Sequence, residues 1–195
     1  MTGFKTHVQV EVKDKTGKVI KRSRKKLCKS YVKQIMSFLF LFGKSSNQDI
    51  KDTDGTVKTV ALVLSATDAC IGAMEAYAED DTYGIQVGIG ITEPLIEDYK
   101  LETRIANGLG DGELSYGTTI IDAVVIVGNM AKIVISRPFT NNSGENIDVT
   151  EVGLAVKFKD GDENDIHALL ERSLLSFTVA DETTGTVTYI LSVST

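Results

Sequence analysis

Residues 132–156, KIVISRPFTNNSGENIDVTEVGLAV, decide the fold class. Two β-rich runs, 133–136 and 146–156, flank the cluster Asn141-Asn142-Ser143-Gly144. Apolar runs bounded by Asn, Ser and Gly predict two antiparallel strands joined by a tight connection, since those residues adopt the backbone conformations a turn requires. The second run changes phase. Ile147 and Val149 share one parity, whereas Val152, Leu154 and Val156 share the other. Side chains alternate faces along a strand, so keeping one face buried calls for a slip near Thr150–Glu151, which a β-bulge supplies. Gly153 then suits a close backbone approach.

Working outward, the same material continues to the end of the chain. Residues 84–91 (GIQVGIGI) have strand character, and 116–127 pair with 130–136 across the two-residue turn Gly128-Asn129. The last strand, 187–193, places Val187, Tyr189, Leu191 and Val193 on one face. Strands at short spacing without alternating helices predict a mainly β chain, an antiparallel β-sandwich of jelly-roll-like form. The run 120–127 is apolar on both faces, so a helix or another copy of the chain must cover it.

The N-terminal part reads differently. Val8, Val10 and Val12 alternate with His7, Gln9 and Glu11, as in a half-buried strand, and His7 faces solvent. Asp14-Lys15-Thr16-Gly17 is a turn, and 18–22 return as a basic hairpin. Residues 27–42 (LCKSYVKQIMSFLFLF) predict a helix: Leu27, Tyr31, Ile35, Leu39 and Phe42 recur at helical spacing, Phe38 lies in its all-round apolar half, and Gly43 ends it. Its expected role is a core or subunit contact. A membrane span needs about 20 apolar residues, and Lys29 and Lys33 interrupt this one. The expected organisation is an arm with helix over 1–43 and a sandwich body over 44–195. Between them 44–56 are expected as a loop, 57–65 as a strand covered on both faces, and 66–81 as a short helix or an irregular excursion.

With 42% apolar and 25% charged residues, the 195-residue chain has the composition of a globular protein. Two cysteines, Cys28 and Cys70, are too few for a disulfide framework or a zinc set, and the N-terminus has no signal-peptide core. The net charge of −6 is unevenly spread. Residues 15–48 hold ten of the 21 basic groups and no acid, leaving 11 basic against 27 acidic groups elsewhere, a net of −16. Lys18, Lys21, Arg22, Arg24, Lys25, Lys26 and Lys29 are therefore candidates for assembly or nucleic-acid contact: they dock on the acidic body of a neighbouring copy, or neutralise phosphates without reading bases.

Other constellations are weaker. Gly88 and Gly90 lack the third glycine of a dinucleotide fingerprint, Glu93 standing in its place and Pro94 following. Asp160, Asp162, Asn164 and Asp165 do not follow the calcium-loop order and read as an acidic turn. His167 has no nucleophile placed beside it, and Cys28 falls on the apolar stripe. No catalytic residue, metal site or cofactor is expected.

Several segments carry a resemblance. Gly88-Ile-Gly90-Ile-Thr92, Asp98-Tyr99-Lys100-Leu101-Glu102, 137–144, Glu151-Val152-Gly153-Leu154, Leu169-Leu170-Glu171-Arg172 and Thr188-Tyr189-Ile190-Leu191-Ser192 fall in an order that resembles a loose family of tailed-phage virion proteins. The segments VKDKTGKV and KSYVKQ resemble the start of such proteins. The chain departs from the pattern at Ile91 and Glu93-Pro94. The resemblance implies a non-enzymatic β-sandwich subunit of a virus particle, made in the host cytoplasm. Its implied partners are further copies of itself and other virion proteins.

Overall fold

In this computed structural model the residues described are 3–44, 48–60, 72–160, 162 and 164–194. The elements are β1 (Gly3–Lys13), β2 (Val19–Arg22), β3 (Lys26–Leu27), α1 (Gln34–Lys44), β4 (Gln48–Lys51), β5 (Val57–Val60), β6 (Gly84–Gly88), β7 (Ser115–Tyr116), β8 (Ile120–Ile121), β9 (Val125–Val127), β10 (Met130–Thr140), β11 (Ile147–Lys159), β12 (Asp165–Val179) and β13 (Thr184–Ser194). The chain is mainly β and its strand pairs are antiparallel. The first sheet runs β2-β1-β13-β10-β7, with β3 also on β1 and β8 and β9 also on β10. The second runs β12-β11-β6, and β4 pairs with β5 alone.

The hairpin expected across Asn141–Gly144 does not form. β10 pairs with β13 and with β7 to β9, whereas β11 pairs with β12 and β6. The two strands lie in different sheets, and 141–146 form a corner between them. Asn141 builds that corner from a fully buried position. Its Nδ2 donates to the carbonyls of Glu145 (2.7 Å) and Val179 (2.8 Å), while Ser143 N donates to its Oδ1. Its own N–H reaches Thr183 O, and Gly144, at φ +87°, donates its N–H to Asp181 Oδ1. The corner is thus tied to the β12–β13 turn rather than folded back on β10. A register irregularity lies at the predicted place, between Val149 and Glu151, but the extra residue is on β12 and not in the run that changes phase, and a second shift follows between Leu154 and Ala155.

β1 enters the first sheet beside β13, paired from Gly3↔Ser194 to Lys13↔Thr184. Val8, Val10 and Val12 then join Ile135, Phe139, Val187 and Tyr189 from the first sheet and Ile85, Val87, Val149 and Val152 from the second in one buried cluster. The β1–β2 hairpin forms as the sequence predicts, with Gly17 at φ +83° in the turn.

The helix expected over 27–42 does not form over that span. Lys26–Leu27 is strand β3, Tyr31 makes an isolated bridge to Glu171, and helix begins only at Gln34. Along the predicted stripe Leu39 is 54% exposed, Leu27 is exposed and Tyr31 and Ile35 are half-buried, while Val32 and Leu41, off it, are buried. Tertiary pairing explains this. Val32 N–H donates to Leu170 O and Arg172 N–H to Ser30 O, so 28–32 run extended against β12. Leu41 packs with Ile50, Val60, Phe158 and Ile166 in a second cluster.

The stretch expected as a loop over 44–56 contains β4, because β5 gives it a partner. β5 is not covered on both faces, since Val57 is exposed. Residues 61–71, and with them the rest of the strand expected to 65, the start of the excursion at 66–81, and Cys70, lie outside the described residues. The partner expected for 130–136 arrives in two short pieces, β8 and β9, with Gly128 at φ +58° in the turn after β9, while β7 pairs further along β10 with Phe139 and Thr140.

Candidate functional site

Four of the segments that carry the resemblance, 88–92, 98–102, 151–154 and 169–172, meet in one buried ion cluster. Arg172, on β12, donates from Nε to Glu151 Oε2 (2.7 Å), from Nη1 to Asp98 Oδ2 (2.9 Å), and from Nη2 to Thr92 O (3.1 Å) and Glu102 Oε2 (3.3 Å). Glu151 is fully buried, and its carboxylate also accepts N–H groups of Gly90, Glu102 and Thr103. Burial alone would pull the Arg172 guanidinium down, but the Glu151 and Asp98 carboxylates outweigh it and raise it. Gly88 and Gly90 follow from the same crowding. A Cβ at Gly90 would stand 2.5 Å from Glu151 Oε1, and one at Gly88 would stand 2.5 Å from Thr103 O. The cluster clamps the 89–104 loop onto β11 and β12. Every carboxylate in it is engaged, so its chemistry is that of a brace, and stranding either buried partner would cost about 3–5 kcal/mol.

Arg137 is the second buried cation, and sequence reasoning gave it no role of its own. Its guanidinium donates only to carbonyls: Gly117 (2.7 Å), Tyr83 (2.9 Å), Ile85 (3.1 Å), Tyr77 (3.0 Å) and Asp80. It lies 4.8 Å over the Tyr116 ring, and burial lowers its pKa. The signal was available: Ile133, Ile135, Arg137 and Phe139 share one parity, so a lone cation stood on the buried face.

The basic candidates lie along the β2–β3 edge of the first sheet, and all seven are exposed. Arg22 pairs with Glu11 at 2.7 Å from Nε, and Lys26 Nζ donates to Leu174 O at 2.5 Å. The side chains of Lys18, Lys21, Arg24, Lys25 and Lys29 make no ion pair among the described residues. Of the helix candidates, Tyr31 is half-buried and its hydroxyl donates to Thr6 Oγ1, its ring 6.3 Å from Phe4. Ile35 is half-buried, Leu27 sits on β3 and Leu39 is exposed; Phe38 and Phe42 lie on α1 with side chains outside the described set.

Behind the Tyr31 segment lies Glu171, which accepts from Tyr189 (2.5 Å) and from the Ser173 hydroxyl. Burial pushes its pKa up to about 7. Cys28 packs nearby, and burial pushes its thiol up as well, the opposite of an activated nucleophile. His167 stacks on Tyr83 with centroids 5.9 Å apart, beside a polar cleft of about 590 Å³ lined by Asp52, Gln86, Lys100 and Arg104 among others. Burial lowers its pKa against the pull of Asp52 and Asp165. Asp160 closes its own turn, accepting the N–H groups of Asp162 and Asn164 at 2.9 Å; Gly161 and Glu163 are outside the described residues.

The other edge of the first sheet is apolar and bare. Ile120, Val124, Ile126 and Val127 are each more than half exposed, and α1, the internal candidate to cover them, packs against β4 and β12 instead. Among the described residues no helix is long and apolar enough to cross a membrane. Compared with known proteins, the chain matches no protein family, no curated protein and no solved structure.

Proposed function

We propose that this chain is a non-enzymatic structural subunit of a phage-like virion, a β-sandwich repeated in a symmetric assembly as a capsid-associated or tail component. The observation that carries the reading is the pair of unlike open edges on one sheet. The β2–β3 edge presents five cations without an ion-pair partner among the described residues, and the β8–β9 edge presents uncovered Ile and Val. A subunit that meets neighbours on both sides has use for two such edges, and the acidic remainder of the chain attracts the basic one. The sandwich is supported by the buried cluster drawn from both sheets.

A second reading rests on the same basic edge: Lys18, Lys21, Arg24, Lys25 and Lys29 contact nucleic acid non-specifically. Size-exclusion chromatography with light scattering, with and without duplex DNA, separates the two. A defined multi-subunit mass without DNA, showing rotational symmetry by electron microscopy, is the expected result. A strict monomer that binds DNA with a steep salt dependence overturns the assembly reading and favours the second.

A further inference from the structure

The first sheet is longer than the core beneath it, and the overhang is where the apolar edge lies. The residues that face the core along β1, β13 and β10 continue past Thr6, Leu191 and Ile133 to the row Phe4–Val193–Ala131, which β9 extends by Ile126. That row is uncovered: Phe4 is 58% exposed, Val193 51% and Ile126 75%. A groove of about 220 Å³ runs along it, lined by Phe4, Val124, Ala131, Ile133, Leu191 and Val193. Among the described residues β9 has a partner only on its β10 side, which leaves its outer edge open to a further strand. Val127 and Met130 close the two-residue turn, which directs the Ile126 N–H out of the sheet.

We propose that this overhang is a self-association surface: two copies of the chain pair about a two-fold axis, β9 edge to β9 edge, each seating apolar side chains on the other's shelf. The inference rests on the reading of the chain as a self-associating subunit and names the surface.

Area and charge both select a second copy. Phe4, Val124, Ile126 and Val193 on the shelf, with Val125 and Val127 on the opposite face of the same edge strand, together leave roughly 600 Å² uncovered, judged from their exposed fractions, against about 600–1,000 Å² per partner in standard interfaces. Charge then decides which edges meet. Between Gly117 and Ala131 only Asp122 is charged, in a chain one quarter of whose residues are. Proteins protect open edges with Lys, Arg, Pro or bulges, and the β2–β3 edge has Lys18, Lys21, Arg22, Arg24 and Lys25. Two basic edges repel, whereas two neutral ones pair without burying a like-charge cluster. A continuous sheet through the axis satisfies the outward Ile126 N–H and covers the shelf in one step.

The test is light scattering of the full chain over a concentration series, with Ile126→Lys and Val124→Asp as variants. The wild type is expected at twice the chain mass or an even multiple of it. Each variant is expected to halve that mass, or shift the dissociation constant at least 100-fold, with the thermal midpoint of the monomer unchanged. A wild-type assembly whose mass survives both variants overturns this surface and leaves the self-associating reading standing. A monomer at every concentration overturns both. Hydrogen exchange covers the case of a variant that does not fold. In the wild type the Ile126 amide gains protection as concentration rises, and an amide that exchanges freely in an assembled sample overturns the proposal.

Discussion

Glu171 and Arg172 are neighbours in sequence with opposite surroundings. Arg172 has three carboxylates around it, whereas Glu171 has hydroxyls, a thiol and, among the described residues, no cation within salt-bridge reach. The groups facing Glu171 are Tyr189 from β13, Ser173 from β12, and Cys28 and Tyr31 from the segment before α1, with Lys26 of β3 more distant. Its carboxyl therefore holds its proton to about pH 7 in the fold, against an ordinary value of 4.5. Between those values the folded state binds more protons than the unfolded one, so stability falls as pH rises from about 4.5 to about 7 and is level above. The loss amounts to about 3 kcal/mol at most. Glu171→Gln removes the titration and keeps an acceptor for Tyr189. Urea unfolding at pH 5 and pH 8 is expected to show wild type weaker at pH 8 and the variant nearly flat, and equal slopes in both would remove Glu171 as the cause.

At the scale of elements, α1 shows how far local pattern reaches. Of the residues that recur at helical spacing from Leu27, Leu27 and Leu39 are exposed and Tyr31 and Ile35 half-buried, because backbone hydrogen bonds from 28–32 to β12 take the first turns away from the helix. The helix that remains starts at Gln34 and buries Leu41 among Ile50, Phe158 and Ile166. Leu41→Ala is accordingly expected to cost about 2–4 kcal/mol, as large-to-small changes in a core do. Leu39→Ala, at an exposed position of the predicted stripe, is expected within about 0.5 kcal/mol of wild type by chemical denaturation. The reverse order would restore the face read from sequence. The phase change in β11 was legible because it is a property of one strand. The separation of β10 from β11 was not, since Asn141–Gly144 is as compatible with a corner as with a turn until Val179 and Asp181 are placed beside it.

For the whole molecule, β1 is the piece whose meaning shifts most. Read as part of a basic arm over 1–43, it suggests a segment removable from a folded body. Its Val8, Val10 and Val12 instead lie in the core shared by the two sheets, between β2 and β13. Deleting residues 1–26 removes three buried valines and leaves β13 with an open edge. The truncated chain is expected to lose its cooperative thermal transition by calorimetry, while Lys21→Glu/Lys25→Glu keeps it and alters only association. A truncation that unfolds at the wild-type temperature would make the strand a true appendage.

Sequence by itself determined the class of this protein: strand alternation, turn residues and the phase slip at Glu151 are local consequences of steric preference and of burying one face. It also determined the charge asymmetry and the apolar character of 120–127. Tertiary structure alone decided which strands pair, that Asn141 turns a corner between sheets, that Gly88, Gly90, Asp98, Glu102, Glu151 and Arg172 form one cluster, and that 120–127 stay uncovered. Those facts depend on long-range hydrogen bonds and ion pairs, the most distant joining Gly3 to Ser194 at the two ends of the described chain, and spacing along one chain does not encode which distant partner a strand or a charge will find.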